Sequence, residues 1–123
     1  MGPIFGQVHH FLRAAKEPVP YAIERYTKEK DRLYSVLDAR LVDHEYLADE
    51  YSIADIAVFP WTRSHANQGV DLDDFPQVRR WYAAIDARPA VQRGLAVLAE
   101  RRKATLDEKA REVLFGGTQY QRR

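Results

Sequence analysis

The sequence predicts an all-α domain, a bundle of about six helices, and three observations predict it. Apolar residues recur at three- and four-residue steps through nearly every stretch, strand-like alternation is almost absent, and prolines and glycines fall where helices would start or stop. With 123 residues the chain is one domain's worth, enough for a single core without staples. The expected organisation is one domain over residues 1–123, with a tail from 100 to 123 that carries a short capped helix.

The first helix is predicted from Pro3 to about Lys16, proline suiting a first turn because its missing N–H would have no partner there. Glu17-Pro18-Val19-Pro20 breaks it. Pro20 then opens a long second helix with Ile23, Tyr26, Leu33, Val36, Leu37 and Leu41 on its apolar face. On the charged face Glu24 and Lys28 stand four apart in the favourable order, a pair that contributes about 0.2–0.5 kcal/mol. Asp43 to Tyr51 reads as a connector anchored by Leu47. From Ile53 to Trp61 almost every position is apolar, which predicts a central helix surrounded by others, with a kink at Pro60. Gly69 offers a left-handed stop. Phe75 to Arg88 forms the next helix, with Val78, Trp81, Tyr82 and Ile85 inward, and the acidic loop Asp71 to Asp74 is expected to cap its start. Pro89 begins another, with Val91, Leu95 and Leu98 buried. Thr105 to Glu108 matches a capping box for a last short helix that ends near Phe115, before Gly116-Gly117.

Composition narrows the chemistry. There is no cysteine, which removes disulfides, thiolate metal sites and cysteine nucleophiles. Nineteen basic against eighteen acidic residues give a net charge of +1, too balanced to mark a nucleic-acid or membrane-surface binder. No apolar run approaches a membrane span, so a cytoplasmic location is expected. A small molecule or another protein is the expected partner.

Ser52 and Asp55 could be a nucleophile with a carboxylate partner. The pattern S-x-x-D ahead of an apolar run, with Tyr51 and Ile56 placed for a hydrophobic staple, instead reads as a structural N-cap. The histidines His9, His10, His44 and His65 lack the i, i+4 spacing of a helical metal site, so no metal is expected. His10 and Phe11 suit either a ligand cleft or simple packing. No catalytic constellation emerges from composition and spacing.

The segments GPIFGQVHHFLRAA, VPYAIERYTKEKDRLYSVLDARL, EYLADEYSIADIAVFPW and DLDDFPQVRRWYAAIDARPAVQRGL occur in that order and cover nearly the whole chain. Together they resemble the C-terminal domain of bacterial glutathione S-transferases, specifically the nu class related to the yeast Ure2 prion protein. Most specific are IERY, the SIAD cap before an apolar helix, and FP-x-V-x-x-W followed by RPAV.

The resemblance implies an all-α domain that packs beside a thioredoxin-like N-terminal domain and forms homodimers, with glutathione as co-substrate. In that family the thioredoxin-like domain holds most of the glutathione and activates its thiol. A chain without it is expected to be inactive alone and to have no catalytic residue of its own. Arg25 matches an arginine near the dimer interface that helps bind glutathione held by the neighbouring subunit; without the family it reads as an exposed helix residue paired with Glu29. His10, Phe11 and Trp61 match positions facing the cleft for a small hydrophobic electrophile or disulfide, though Trp61 equally suits a core. The other class of function is a stand-alone helical dimerisation or adaptor module.

Overall fold

The computed structural model describes residues 1–101, 107–117 and 121. Six α-helices form among them, with no strand beyond isolated bridges at residues 46–50. They are α1 (Gly2–His9), α2 (Pro20–Arg40), α3 (Ile53–Thr62), α4 (Pro76–Asp86), α5 (Pro89–Ala96) and α6 (Glu108–Phe115). None is long and apolar enough to cross a membrane. The chain divides into two compact units, Met1–Gln92 and Arg93–Arg123.

In the first unit α1 and α2 pack together, and α4 closes over α2 and α3. The core they share includes Phe5, Val8, Tyr34, Leu37, Leu41, Phe59, Val78, Trp81 and Ile85. Phe5 stacks on Tyr34 with ring centroids 5.3 Å apart, and Phe59 meets Trp81 edge-on at 6.4 Å. Such aromatic pairs contribute about 0.5–1.5 kcal/mol beyond the area they bury.

The first helix does not reach Lys16 as a regular α-helix. It widens after His9 into a π-type turn, His10–Ala14, in which the Ala15 amide donates to the His10 carbonyl at 2.8 Å. On α2 the buried line runs through Lys30, Tyr34, Leu37 and Leu41, while Val36 is exposed. Two prolines set these starts, since Pro3 and Pro20 occupy first-turn positions.

Ser52 caps α3 as its spacing predicts. Its hydroxyl accepts from the Ala54 amide at 3.2 Å, and Asp55 returns a bond by accepting from the Ser52 amide at 2.9 Å. The expected staple is absent as a buried contact at Ile56, which is 54% exposed, and Tyr51 instead lies beneath Arg88 at 3.7 Å. The helix passes through Pro60 and ends two residues later. It is also not surrounded. Ile53 is 83% exposed, and Ala57 and Pro60 share the open side with Ile53 and Ile56.

The start of α4 is capped from an unexpected place. Its N-cap position is Phe75, which has no side-chain acceptor, and Asp38 of α2 fills the gap by accepting from the amides of Gln77 and Val78 at 2.8 and 3.0 Å. Asp71 caps only the short turn Leu72–Asp74 that precedes it. In the opposite direction, Arg80 of α4 donates to the carbonyls of Leu41 and His44, both at 2.9 Å, at the end of α2. Gly69 has φ 68°, the left-handed geometry expected, and it stops the short turn His65–Gln68.

Val91 and Leu95 of α5 are half-buried, but Leu98 is exposed, because the helix ends at Ala96 and Leu98 adopts φ 52°, off the helical track. In the second unit α6 is capped by Asp107, whose carboxylate accepts from the Ala110 amide at 2.8 Å. Glu108 is therefore the first helical residue and not the third, and Thr105 lies outside the described residues.

Candidate functional site

Along α2, Tyr21, Arg25, Lys28 and Arg32 stand four, three and four residues apart, which aligns them in one stripe. Ile4 of α1 faces that stripe, and between them opens a cavity of about 600 Å³ that Glu24, Tyr26 and Glu29 also line. Three cations and two carboxylates share the walls, but they are not equivalent.

Glu24 takes the Lys28 ammonium in the predicted i, i+4 pair. Glu29 is held by Arg32 through two bonds of 2.8 and 2.7 Å, the fork geometry a guanidinium favours. Each carboxyl is held below its ordinary range chiefly by the hydrogen bond from its cationic partner, so both stay ionised. Glu29 is thus occupied by Arg32 and not by Arg25. Arg25 takes part in no hydrogen bond or ion pair given for the described residues, and it reaches Glu29 only as the weakest of the charges acting on that carboxyl.

The aromatic residues continue this wall. Phe11 stacks on Tyr26 at 5.6 Å and 10°, and His10 meets Phe11 edge-on at 5.0 Å. The structure therefore joins His10 and Phe11 to Tyr26, which lines the cavity, while neither of the two is itself among the lining residues. Trp61 is elsewhere: its indole covers Gly2 and Gly6 of α1, where a Cβ added at Gly2 would approach the ring nitrogen to 3.3 Å. The glycines let α1 and α3 close on that ring.

Ser52 and Asp55 have no access to the cavity. Asp55 is fully buried and accepts from Trp81 Nε1 at 2.7 Å, the Leu47 amide at 3.1 Å and the Ser52 amide at 2.9 Å. These bonds join the connector, α3 and α4, a structural role.

Sequence patterns did not reveal a second polar assembly. Gln68, buried at the end of its turn, is gripped twice from α2: Lys30 Nζ donates to its carbonyl at 3.0 Å, and the Tyr34 hydroxyl donates to its amide oxygen at 2.9 Å. Its amide nitrogen donates to the Trp61 carbonyl at 2.8 Å and to Ser64 Oγ at 2.9 Å, and lies 3.2 Å from His9 Nε2. Nothing local marks Lys30 or Gln68 as buried. The spacing of Arg25, Lys28 and Arg32 at steps of three and four is the signal from which their shared helix face could have been found.

The glutathione S-transferase C-terminal domain model matches residues 6–89. This chain belongs to the glutathione S-transferase family. The chain is 48% identical over 96 residues to the disulfide-bond oxidoreductase YfcG of Escherichia coli, a match covering 77% of this chain and 45% of that protein. It is 38% identical over 115 residues to the disulfide-bond oxidoreductase YghU of the same organism, covering 87% and 39%. Among solved structures, a glutathione transferase homologue from Lodderomyces elongisporus with two glutathiones per subunit superposes with a TM-score of 0.74 at 39% identity, over 79% of this chain and 47% of that one. A Burkholderia graminis glutathione transferase, also with two glutathione molecules per subunit, gives a TM-score of 0.68 at 42% identity, over 76% and 42%. The chain spans less than half the length of each of these relatives.

Proposed function

We propose that this transferase chain supplies the helical half of a glutathione site, in a glutathione transferase or glutathione-dependent disulfide reductase that works in the cytoplasm as a homodimer. The observation that carries the reading is Arg25, a guanidinium that lines the cavity between α1 and α2 and whose hydrogen-bonding fork is not taken up by Glu29, which bonds Arg32 instead. A peptide carboxylate is the group such a fork holds best, and glutathione presents two. The relatives crystallised with two glutathiones per subunit support the same ligand. In this reading His10, Phe11 and Trp61 belong to the side that receives a hydrophobic electrophile or disulfide, and the thiol is activated by a thioredoxin-like domain.

The open side of α3 favours this over a stand-alone adaptor. A module that works alone is expected to turn polar residues outward, whereas Ile53 and Ile56 leave a contiguous apolar face that a further domain would cover.

The test is a glutathione titration of the chain followed by NMR and calorimetry. Expected are weak, millimolar-range shifts at Tyr21 and Tyr26 that vanish in Arg25→Ala, with no turnover of a model electrophile. Shifts that survive Arg25→Ala would remove Arg25 from the site. Micromolar affinity with turnover would overturn the claim that the chain alone is inactive.

A further inference from the structure

Glu29 stands between two arginines of α2, four residues after Arg25 and three before Arg32, the separations at which helix side chains meet. It bonds one of them. Arg32 gives it Nε at 2.8 Å and Nη2 at 2.7 Å, one N–H to each carboxylate oxygen. Two physical reasons favour that choice. Two parallel N–H groups on two oxygens are stronger and more directional than a single contact. An acid that precedes its base along a helix also pairs better than the reverse order, which is the order of Arg25 and Glu29. Arg25 still acts on the Glu29 charge, but as the last of the influences that lower its carboxyl, after the hydrogen bond from Arg32. All three residues line the same cavity.

We propose that Arg32 is a positioning residue of this cavity: by occupying Glu29 it keeps the Arg25 fork open for the carboxylate of a ligand. The inference rests on the reading of Arg25 as the group that takes a glutathione carboxylate. It adds that Arg32 acts through Glu29 and needs no contact of its own with the ligand. Glu24 is no rival for Arg25, because adjacent helical residues point about 100° apart and Glu24 already holds the Lys28 ammonium. Glu29 is therefore an internal competitor for the fork, and Arg32 detains it.

Loss of Arg32 has two effects that substitution can separate. It takes a positive charge from the cavity wall, which removal of either nearby carboxylate offsets. It also frees Glu29 to close on Arg25, which only a change at Glu29 undoes.

The test is a glutathione titration of the full chain at low ionic strength, where exposed pairs are least screened, followed at the Tyr21 and Tyr26 amides. Expected is an affinity about two-fold weaker in Arg32→Ala, the size of one exposed ion pair at this spacing. The double variant Arg32→Ala, Glu29→Gln should return to the unmodified affinity. Arg32→Ala, Glu24→Gln has the same net charge and should stay weak. Without glutathione, the Arg25 Nε–H resonance should move in Arg32→Ala and return when Glu29→Gln is added. Recovery in both double variants would mean that only the field of Arg32 matters, and recovery in neither that Arg32 touches the ligand. Either result overturns the proposal, as does an unchanged affinity in Arg32→Ala. In the unmodified chain the Arg32 Nε–H should carry the hydrogen-bond signature and the Arg25 Nε–H should not; the reverse pattern overturns the proposal whatever the variants do. Glutathione shifts that survive Arg25→Ala overturn the underlying reading instead, a failure told apart because it appears with Arg32 and Glu29 both intact.

Discussion

Ser52 and Asp55 show how little a polar pair says about chemistry until its partners are known. The hydroxyl serves only first-turn amides of its own helix, and Ser52→Ala should cost roughly 0.5–2 kcal/mol. Asp55→Ala should cost more, about 3 kcal/mol or above, because it strips the acceptor from Trp81 Nε1 and from the amides of Leu47 and Ser52 at once. Urea unfolding of the two variants measures the difference. Equal losses would mean that the cross-chain bonds of Asp55 contribute little. The capping role was readable from the S-x-x-D spacing, since it acts within one helical turn. The bonds to Leu47 and Trp81 were not, because those partners stand 8 and 26 residues away. Arg25 was singled out by family resemblance alone. Its guanidinium makes no hydrogen bond to Glu29 because Glu29 bonds Arg32 instead, a competition between neighbours at three and four residues that spacing leaves open.

Helix starts and stops were largely legible, and the exceptions share a cause. Pro3, Pro20, Pro76 and Pro89 lie in the first turns of α1, α2, α4 and α5, and Gly69 takes the left-handed conformation, all from the local limits on their own φ angles. The cap of α4 depends on no local limit. Asp38 reaches it from the neighbouring helix, and its charge also meets the positive end of the helix dipole. Asp38→Ala should therefore destabilise the first unit by about 1–2 kcal/mol, whereas Asp71→Ala, which touches only a short exposed turn, should change it by less than about 0.5 kcal/mol. Thermal unfolding of the pair decides the matter, and a larger effect at Asp71 would restore the acidic loop as the cap.

For the molecule as a whole, the uncovered side of α3 is the feature with the largest consequence. Ile53 and Ile56 stand in solvent, and so an Ile53→Ser, Ile56→Ser double variant should show less self-association by light scattering at rising concentration, with folding stability changed by no more than about 0.5 kcal/mol per site. Unchanged association would show that this face is not what draws copies together. The apolar run from Ile53 to Trp61 was read as the mark of a surrounded helix, and the structure surrounds it on only some sides. Hydrophobicity reports that a face is to be covered, and it does not report by what.

The sequence by itself determined the all-α class, the order of the helices and most of their ends, because period, proline, glycine and first-turn caps act within about four residues. Family membership was legible too, in four motifs standing in order along the chain. Only the tertiary structure decided that Asp38 caps a helix 39 residues away, that Lys30 is buried to hold Gln68, and that Glu29 gives its hydrogen bonds to Arg32 and not to Arg25. Each of those outcomes is a choice between competing partners for one polar group. Such choices are settled by which side chains the packed helices bring within hydrogen-bond reach.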